Sequence, residues 1–305
     1  MDFRDVSLTS LRVFRAVAEQ GTFTAAAIAL GYTQSAVSRQ VATIERLAGG
    51  ELLERRRDGV RVTAAGRIVL HHATTVLDEI DATARELSGL PARAGTVRVG
   101  WFPSAGAALV PRALAALRRT DPAITVVTRE GGTPALVRAL RAGSLDLALI
   151  ASAPPFRPPD GESPALVLRT LTERGLRVAV PATHPLARGD FIDVADLRGR
   201  RWIAGPASGE EGLMGVWPGL DEKPDIAHTA RDWLAKLYLV AAGCGLTTVS
   251  AALVPAAPDG VRILPVRGGP QEQRRLLLAR LPHPPAEPVV RVADALRAAA
   301  LDADT

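Results

Sequence analysis

The chain of 305 residues is longer than a single compact core usually grows, so its length predicts two or three globular units. Hydrophobic residues make up 47% and charged residues 23%, which is typical of soluble proteins, and no apolar run is long enough to cross a bilayer. We therefore expect a cytoplasmic protein without a membrane partner. The single cysteine, Cys244, excludes an internal disulfide, and the net charge of +5 mildly favours an anionic partner.

The first 65 residues have the pattern of short helices followed by a β-hairpin. Thr22 and Thr33 each precede an apolar helical stretch, where a hydroxyl can cap the helix. Gly31 permits a tight turn between two helices, and Asp58-Gly59 favours a two-residue hairpin turn. The predicted elements are a helix from Leu8 that stops at Gly21, helices from Phe23 to Leu30 and from Gln34 to about Ala48, and a hairpin from Leu52 to Val62. This order predicts an α+β winged helix-turn-helix in residues 1–65.

The polar residues of this unit have the chemistry that double-stranded DNA requires. Val37, Val41 and Ile44 hold the third helix on the core, so the polar residues of its first half face outward. That end of the helix meets base edges, where an amide pairs with adenine and a guanidinium with guanine. Taken alone, an arginine run is more often a solvated surface, and Thr22 could be only a cap. Taken together, the expected DNA contacts are Thr22, Thr24, Gln34, Ser35, Ser38, Arg39, Thr43, Arg55, Arg56, Arg57 and Arg61.

A single long helix is predicted from about Thr63 to Leu87, followed by a hinge over residues 88–95. Its apolar residues recur three and four apart and form a narrow stripe, which is typical of a helix that pairs with another helix. The sequence has no second helix of this kind, so we expect the same helix of a second copy as the partner. A helix packed on its own domain is the alternative. The predicted dimerisation residues are Val69, Ala73, Val76, Ile80, Ala84 and Leu87.

From Thr96 onward, predicted strands and helices alternate, which indicates a parallel sheet with right-handed crossovers. The proline-rich stretch 154–164 interrupts this order, so two α/β subdomains joined by crossing strands fit better than one large sheet. The expected elements include strands at 166–171 and 176–180 and a helix from Gly209 to Val216. The predicted domains are residues 1–65, 66–90 and 91–305, with subdomain I at about 95–164 and 267–305 and subdomain II at about 165–266.

Three helix starts follow strands in this third domain, at Ser104, Thr133 and Ser208. Ligands of α/β domains bind where strands end, and a helix N-terminus with a hydroxyl favours an anion. We therefore expect a small-molecule effector, with a carboxylate as the favoured chemistry. In the alternative interpretation, the three hydroxyls only cap their helices.

Several motifs together resemble the LysR-type transcriptional regulators, densely over residues 8–70 and more loosely to about residue 285. They are Phe14-x2-Val17-Ala18-x2-Gly21-x-Phe23-Thr24-x-Ala26-Ala27-x2-Leu30, Gln34-Ser35-Ala36-Val37-Ser38-Arg39-Gln40, Leu53-Glu54-Arg55 and Thr63-x2-Gly66. Two positions depart from the family pattern: Ser35 stands where a proline is common, and Leu52-Leu53 replaces leucine-phenylalanine. The Ser35 hydroxyl could shift base preference.

The resemblance implies a homodimer or homotetramer that binds two pseudo-palindromic half-sites through its helix-turn-helix units. It implies a C-terminal domain similar to periplasmic binding proteins, in which Ala105, Thr247 and Thr248 join Ser104, Thr133 and Ser208 as effector-binding residues. RNA polymerase is a further partner expected of such a regulator.

An enzyme is the competing class of function, and the sequence offers no constellation for it. No glycine-rich phosphate loop and no Gly-x-Ser-x-Gly nucleophile motif is found, and neighbouring Glu210 and Glu211 would point apart on a helix. The histidines have no metal-ligand spacing; they are His71, His72, His184, His228 and His283. We therefore expect no catalysis, cofactor or metal. A DNA-binding protein whose C-terminal domain only oligomerises remains a second alternative.

Overall fold

The computed structural model describes residues 3–56, 59–87, 95–205, 214–269 and 272–301. Its N-terminal part follows the predicted order of three helices, a hairpin and one long helix. These elements are α1 (Leu8–Gln20), α2 (Phe23–Leu30), α3 (Gln34–Ala48), β1 (Leu53–Arg56), β2 (Gly59–Val62) and α4 (Ala64–Leu87).

Local interactions explain why the first helices begin and end where they do. The Thr22 hydroxyl accepts a hydrogen bond from the Ala25 N–H over 3.1 Å, and Thr33 caps α3 in the same way. Gly31 ends α2 with φ at 67°, a conformation that glycine adopts without strain and that turns the chain directly into α3. Thus the predicted helix-turn-helix is confirmed.

One apolar core joins the helix-turn-helix to the hairpin and the long helix. Phe14, Ile44 and Leu52 are fully buried in it, together with Leu70 and Leu77 of α4. Gly66, in the first turn of α4, lies so close to the hairpin that an added Cβ would be 2.1 Å from the Leu52 carbonyl oxygen. The start of α4 is therefore fixed against the DNA-binding unit by close packing.

The C-terminal part alternates strands and helices, as predicted, and its central sheet has eight strands. Seven of them are in the order β4-β3-β5-β12-β6-β11-β7, and β10 also pairs with β6, whereas β8 and β9 pair with each other. The elements are β3 (Gly95–Trp101), α5 (Pro103–Thr120), β4 (Ile124–Glu130), α6 (Thr133–Arg141), β5 (Leu147–Ser152), β6 (Val167–Pro181), β7 (Ile192–Asp193), β8 (Arg201–Ala204), β9 (Asp225–Thr229), α7 (Trp233–Ala241), β10 (Thr247–Ser250), β11 (Val261–Arg267), β12 (Gln273–Arg280) and α8 (Glu287–Leu301).

The two strands predicted at 166–171 and 176–180 are in fact one strand, β6. The polar stretch from Thr172 to Gly175 looked like an interruption, but it pairs with β12 as far as Gln273 opposite Gly175. Beyond Gly175, β6 pairs with β10 and β11. The prediction of two separate strands was wrong, because pairing with β12, which is distant in sequence, keeps residues 172–175 in the strand. Most of the helix predicted over 209–216 lies outside the described residues, and Met214 and Gly215 form a turn.

Strand β6 thereby connects two subdomains with separate apolar cores. In the first, α5 and α8 cover one face of the sheet and α6 covers the other. In the second, Trp202 and Leu197 belong to the core on one face, and Leu237 and Val240 of α7 belong to the core on the other. This is the expected α/β domain of two subdomains.

The strand directions determine which edges of the subdomains face each other. Strands β3, β4, β5 and β6 run in one direction, since β12 is antiparallel to both β5 and β6. Strand β10 is antiparallel to β6 and parallel to its neighbour β8, which is parallel to β9. Because β6 passes from the first subdomain into the second, the carboxyl ends of β3 and β4 point toward those of β8, β9 and β10. The edges that face each other form the crevice between the subdomains.

Across the described part of the chain, no helix combines the length and apolarity needed to span a membrane.

Candidate functional site

Helix α3 presents a polar surface at its N-terminal end. Gln34, Ser35 and Arg39 are exposed and Ser38 is half-buried, whereas Val37 is fully buried beneath them. The Arg39 side chain forms no hydrogen bond or ion pair with any part of the chain that the structure describes. Its guanidinium is therefore available to an external partner that offers paired acceptors.

Two of the predicted threonines make bonds within the protein. The Thr43 hydroxyl donates to the Arg39 carbonyl oxygen over 2.9 Å, one turn back on α3. The Thr22 oxygen accepts from Ala25, so its own hydroxyl hydrogen remains able to donate outward. Thr24 is exposed on the first turn of α2.

The hairpin carries three exposed arginines, Arg55, Arg56 and Arg61, while Arg57 lies outside the described residues. The Arg55 guanidinium stacks 4.9 Å from the centre of the Phe23 ring, at the start of α2. Arg56 pairs with Glu54 at 3.1 Å in an exposed ion pair, which contributes little to stability. The basic hairpin thus lies beside the helix-turn-helix.

Hydrogen bonds from the hairpin backbone to two other parts of the domain fix the hairpin in that position. Sequence reasoning missed both. The Val60 N–H donates to the Gly21 carbonyl oxygen over 2.8 Å, which ties β2 to the turn before α2. At the other end, Glu45 Oε1 accepts from the N–H groups of Leu52 and Leu53 at 3.0 and 3.1 Å. A carboxylate on α3 therefore orients the hairpin relative to the helix that carries Arg39.

The predicted dimerisation stripe of α4 is divided between two environments. Ala73 is 2% exposed and belongs to the core of its own chain, next to Leu70 and Leu77. Val76 is 42% exposed, and Ile68, which was not in the predicted set, is 64% exposed. Val69 and Ile80 are half-buried, and the side chains of Ala84 and Leu87 lie outside the described set. The surface left for a partner is centred on Ile68 and Val76.

In the first subdomain, the predicted effector residues Ser104 and Thr133 lie in the first turns of α5 and α6, just after the neighbouring ends of β3 and β4. The Gly131 N–H donates to the Trp101 carbonyl oxygen over 2.9 Å, which joins the two strand ends. Neither hydroxyl caps its helix, because the capping positions are Phe102 and Gly132, which provide no side-chain hydrogen bond. Ala105, next to Ser104, is buried. Capping therefore does not explain these two hydroxyls.

The second subdomain gives a different result for the remaining predicted effector residues. Thr247 is fully buried, and its hydroxyl donates to the Ile203 carbonyl oxygen over 2.8 Å, so it connects β10 to β8. Thr248 is half-buried, and its N–H donates to the Gly215 carbonyl oxygen over 2.9 Å. Ser208 lies outside the described residues.

A cavity of about 410 Å³ opens at the junction of the two subdomains. Its volume is in the range of small-molecule sites. None of the predicted effector residues is in its described lining. The cavity lies where β6, β11 and β12 meet, whereas Ser104 and Thr133 are at the starts of α5 and α6. The lining residues are Arg174, Gly175, Leu176, Arg177, Trp217, Ala251, Pro265, Val266, Glu272 and Gln273.

Sequence reasoning also missed a buried lysine in the second subdomain. Lys236 lies on the core face of α7 and is 7% exposed. Burial holds the pKa of its ammonium group below the ordinary lysine value. Helical spacing from Trp233 and Val240 places residue 236 on this face, but the sequence alone does not show that a lysine side chain is buried there.

The adjacent histidines His71 and His72 of α4 meet the distant His283 of the C-terminal domain. The His71 ring centre is 5.1 Å from that of His72 and 6.2 Å from that of His283. Partial burial, with the neighbouring rings as smaller contributions, lowers the pKa of His71. Within the described ranges, no three His, Cys, Asp or Glu side chains are arranged to hold a metal ion.

Two family models match consecutive parts of the chain. The model of the bacterial regulatory helix-turn-helix protein, lysR family, matches residues 8–67, and that of the LysR substrate binding domain matches residues 92–301. The small neutral protease regulatory protein of Streptomyces coelicolor is 33% identical over 305 residues, covering 95% of this chain and 92% of that protein.

Solved structures with the same fold include two full-length proteins. A full-length OxyR variant of Pseudomonas aeruginosa is 23% identical, with a TM-score of 0.62 over 96% of this chain and 94% of that one. Full-length BenM is 25% identical, with a TM-score of 0.56 and 96% of each chain covered. The order of helix-turn-helix, long helix and two-subdomain domain is therefore that of these proteins.

Proposed function

The chain belongs to the LysR family of DNA-binding transcriptional regulators, and we propose that it acts as a homodimer or homotetramer on pseudo-palindromic promoter sites. The observation that supports this most directly is the free polar N-terminal end of α3, with Arg39 unpaired among the described residues. We assign base contacts to Gln34, Ser35, Ser38 and Arg39, and phosphate contacts to the hairpin arginines, Thr22 and Thr24.

The same proposal divides the chain into residues 1–65 for DNA binding, 66–90 for dimerisation and 91–305 for effector binding. The exposed apolar side chains of Ile68 and Val76 support pairing of α4 with a second copy. The substrate-binding-domain match supports control by a small molecule. We propose that Ser104 and Thr133 contact this effector in the crevice. We further propose that the protein acts in the cytoplasm with RNA polymerase and catalyses no reaction.

Selection from random double-stranded DNA tests the DNA-binding proposal. The full chain should enrich an inverted repeat whose two halves lie about one helical turn apart, because each protomer brings one α3 to one half-site. Enrichment of no sequence above the input library would contradict the proposal.

The remaining alternative is a C-terminal domain that only oligomerises. Thermal unfolding of the full chain with a broad panel of metabolites distinguishes this alternative from a C-terminal domain that senses a small molecule. A sensor should be stabilised by at least one compound, which should also change its affinity for the selected DNA. If no compound does either, the oligomerisation-only alternative is supported instead.

A further inference from the structure

Lys236 is a charged residue placed on the core face of a helix. The other residues of α7 on that face are apolar, and Leu237 and Val240 are fully buried. An ammonium group among such neighbours has lost most of its hydration. Lysine is almost never buried to this degree unless it is paired, because the cost of removing a charge from water is large.

The protein itself provides no counter-charge among the residues that the structure describes. The Lys236 Nζ forms neither a hydrogen bond nor an ion pair there, and desolvation alone accounts for the lowered pKa of the group. A buried charge without a partner destabilises the fold, and a partner of opposite charge would relieve much of that cost. The arrangement therefore suits an anion from outside the chain.

The ammonium group lies beside Gly205, at the end of β8 that faces the first subdomain. Its Nζ is 3.4 Å from the point that a Cβ on Gly205 would occupy, and the Met214 Cβ is 3.3 Å from the same point. Gly205 directly follows β8, whose carboxyl end points toward the first subdomain. The Met214 carbonyl oxygen is also 3.4 Å from that point, so any side chain at residue 205 would crowd the ammonium group.

The facing edge of the first subdomain has groups that suit an anion as well. The starts of α5 and α6 have no side-chain cap, and the hydroxyls of Ser104 and Thr133 are nearby. Helix N-termini carry partial positive charge and free N–H groups. An anion in the crevice would thus meet hydrogen-bond donors from one subdomain and the amino group of Lys236 from the other.

We propose that Lys236 is the counter-charge for an anionic effector, with a carboxylate as the group that it binds. This inference rests on the proposed effector site and specifies the chemical class of its ligand and one residue that selects it. Neutral analogues of the effector, such as amides and esters, should bind much more weakly, because they leave the ammonium group unpaired.

Thermal unfolding of the full chain with small anions tests the proposal. Acetate, succinate and inorganic phosphate are titrated against chloride at constant ionic strength, so that general screening is held fixed. The wild type should show a saturable rise of about 2–4 °C with a carboxylate. Lys236→Met, which keeps the length of the side chain, should unfold at a higher temperature without anion and lose that rise. A rise with phosphate only would overturn the carboxylate assignment.

Lys223 provides a matched control, since it is the only other lysine in the sequence and is exposed. Lys223→Met should respond to carboxylates as the wild type does. The counter-charge inference is wrong if Lys236→Met keeps the full rise in unfolding temperature with a carboxylate. It is also wrong if only neutral compounds stabilise the wild type and the variant alike. In both cases the proposed effector site itself is not contradicted. If no compound of the metabolite panel acts on either protein, the sensor proposal fails as well.

Lysine-selective ¹³C labelling of the wild type gives an independent readout that requires no variant to fold. Two side-chain Cε signals are expected, one for each lysine. One signal should titrate at lower pH than the other, and a saturating carboxylate should shift its titration upward, because a nearby negative charge favours the ammonium form. Two signals that titrate together, with or without carboxylate, would overturn the proposal.

Discussion

Within α3, some side chains hold the fold and others are free to bind. Val37 and Ile44 are fully buried, whereas the Arg39 guanidinium is exposed near the same end of the helix as Gln34 and Ser35. Binding energy at DNA interfaces comes from both base and phosphate contacts, but only base contacts distinguish sequences. Substitutions at residues that do not stabilise the core can therefore test recognition without unfolding the domain.

Arg39→Ala should weaken binding to the selected DNA by about 1–3 kcal/mol and relax the preference at one base position in each half-site. The matched control is Arg46→Ala, which removes an exposed arginine from the last turn of the same helix. Fluorescence anisotropy at fixed salt measures both variants. Equal losses for the two would show that charge alone, and not base readout, explains the role of Arg39.

Glu45 should matter for stability and for the position of the hairpin. Its carboxylate accepts from two backbone N–H groups, and Glu45→Ala leaves both without that partner. We expect the free energy of unfolding to fall by about 1–3 kcal/mol, measured by urea denaturation. Glu51→Ala, at an exposed neighbouring position, should change it little. A Glu45 variant as stable as this control would contradict the assigned role.

The lowered pKa of Lys236 also predicts a pH dependence of stability. Between the pKa of the folded protein and the higher pKa of the unfolded chain, the unfolded chain binds a proton that the folded protein does not. The free energy of unfolding of the wild type, relative to Lys236→Met, should therefore rise with pH through that window. Urea denaturation across alkaline pH measures it, and a difference that stays constant or falls would contradict the burial of the charge.

At the scale of elements, we expect the hairpin to add phosphate contacts to the helix-turn-helix and α4 to pair two copies of it. The Arg61 side chain is exposed on β2, where a wing would follow the phosphate backbone. Arg61→Gln should weaken binding to all sequences similarly and reduce the slope of log affinity against log salt by about 1. This slope comes from salt titrations of anisotropy. A loss confined to a single base position would assign Arg61 to base readout instead.

Helix α4 packs one face on its own chain and exposes another. Val76→Asp introduces a charge on the exposed face and should yield monomers by analytical ultracentrifugation, particularly when combined with Ile68→Asp. Val290→Asp on α8 is the control, because Val290 is 40% exposed, close to the 42% of Val76. A Val76 variant that remains fully dimeric would exclude this face from the interface.

The elements that the sequence predicted well are those determined by local interactions. Caps at Thr22 and Thr33 and the turn at Gly31 depend on residues a few positions apart, so their pattern is visible in the chain. The stripe of α4 was harder to interpret, since apolar residues on two adjacent faces overlap in a one-dimensional pattern. Only packing shows that Ala73 faces inward and Val76 outward.

At the scale of the whole molecule, long-range pairing determined what the sequence could not show. Strand β6 is continuous because β12 pairs through its polar middle, and the facing crevice edges follow from the directions of strands distant in sequence. Lys236 could not be predicted as a buried charge, because its environment is built by β8 and by the turn at Met214. The helix starts at Ser104 and Thr133 were predictable, whereas their lack of a capping role was not.

The end of α6 is one of the places where the effector domain contacts the DNA-binding unit within a chain; others are the Arg129–Glu19 ion pair and the His71–His283 contact. The helix α6 begins at Thr133 in the crevice, and Ala142 at its other end packs in the core shared by α1 and α4. The Thr74 hydroxyl of α4 lies 3.4 Å from the Ala142 carbonyl oxygen. A movement of α6 on effector binding would therefore reach the helix that orients the two DNA-binding units.

Chemical footprinting of the full chain on its selected DNA tests the central claim most directly. A homodimer with one α3 in each half-site should protect two major-groove segments on one face of the duplex, about 10 base pairs apart centre to centre or a multiple of that. Val76→Asp, if monomeric, should protect one segment with much lower affinity. Protection that follows no sequence, or two equal segments that persist in a proven monomer, would contradict the account of a dimeric, sequence-specific regulator.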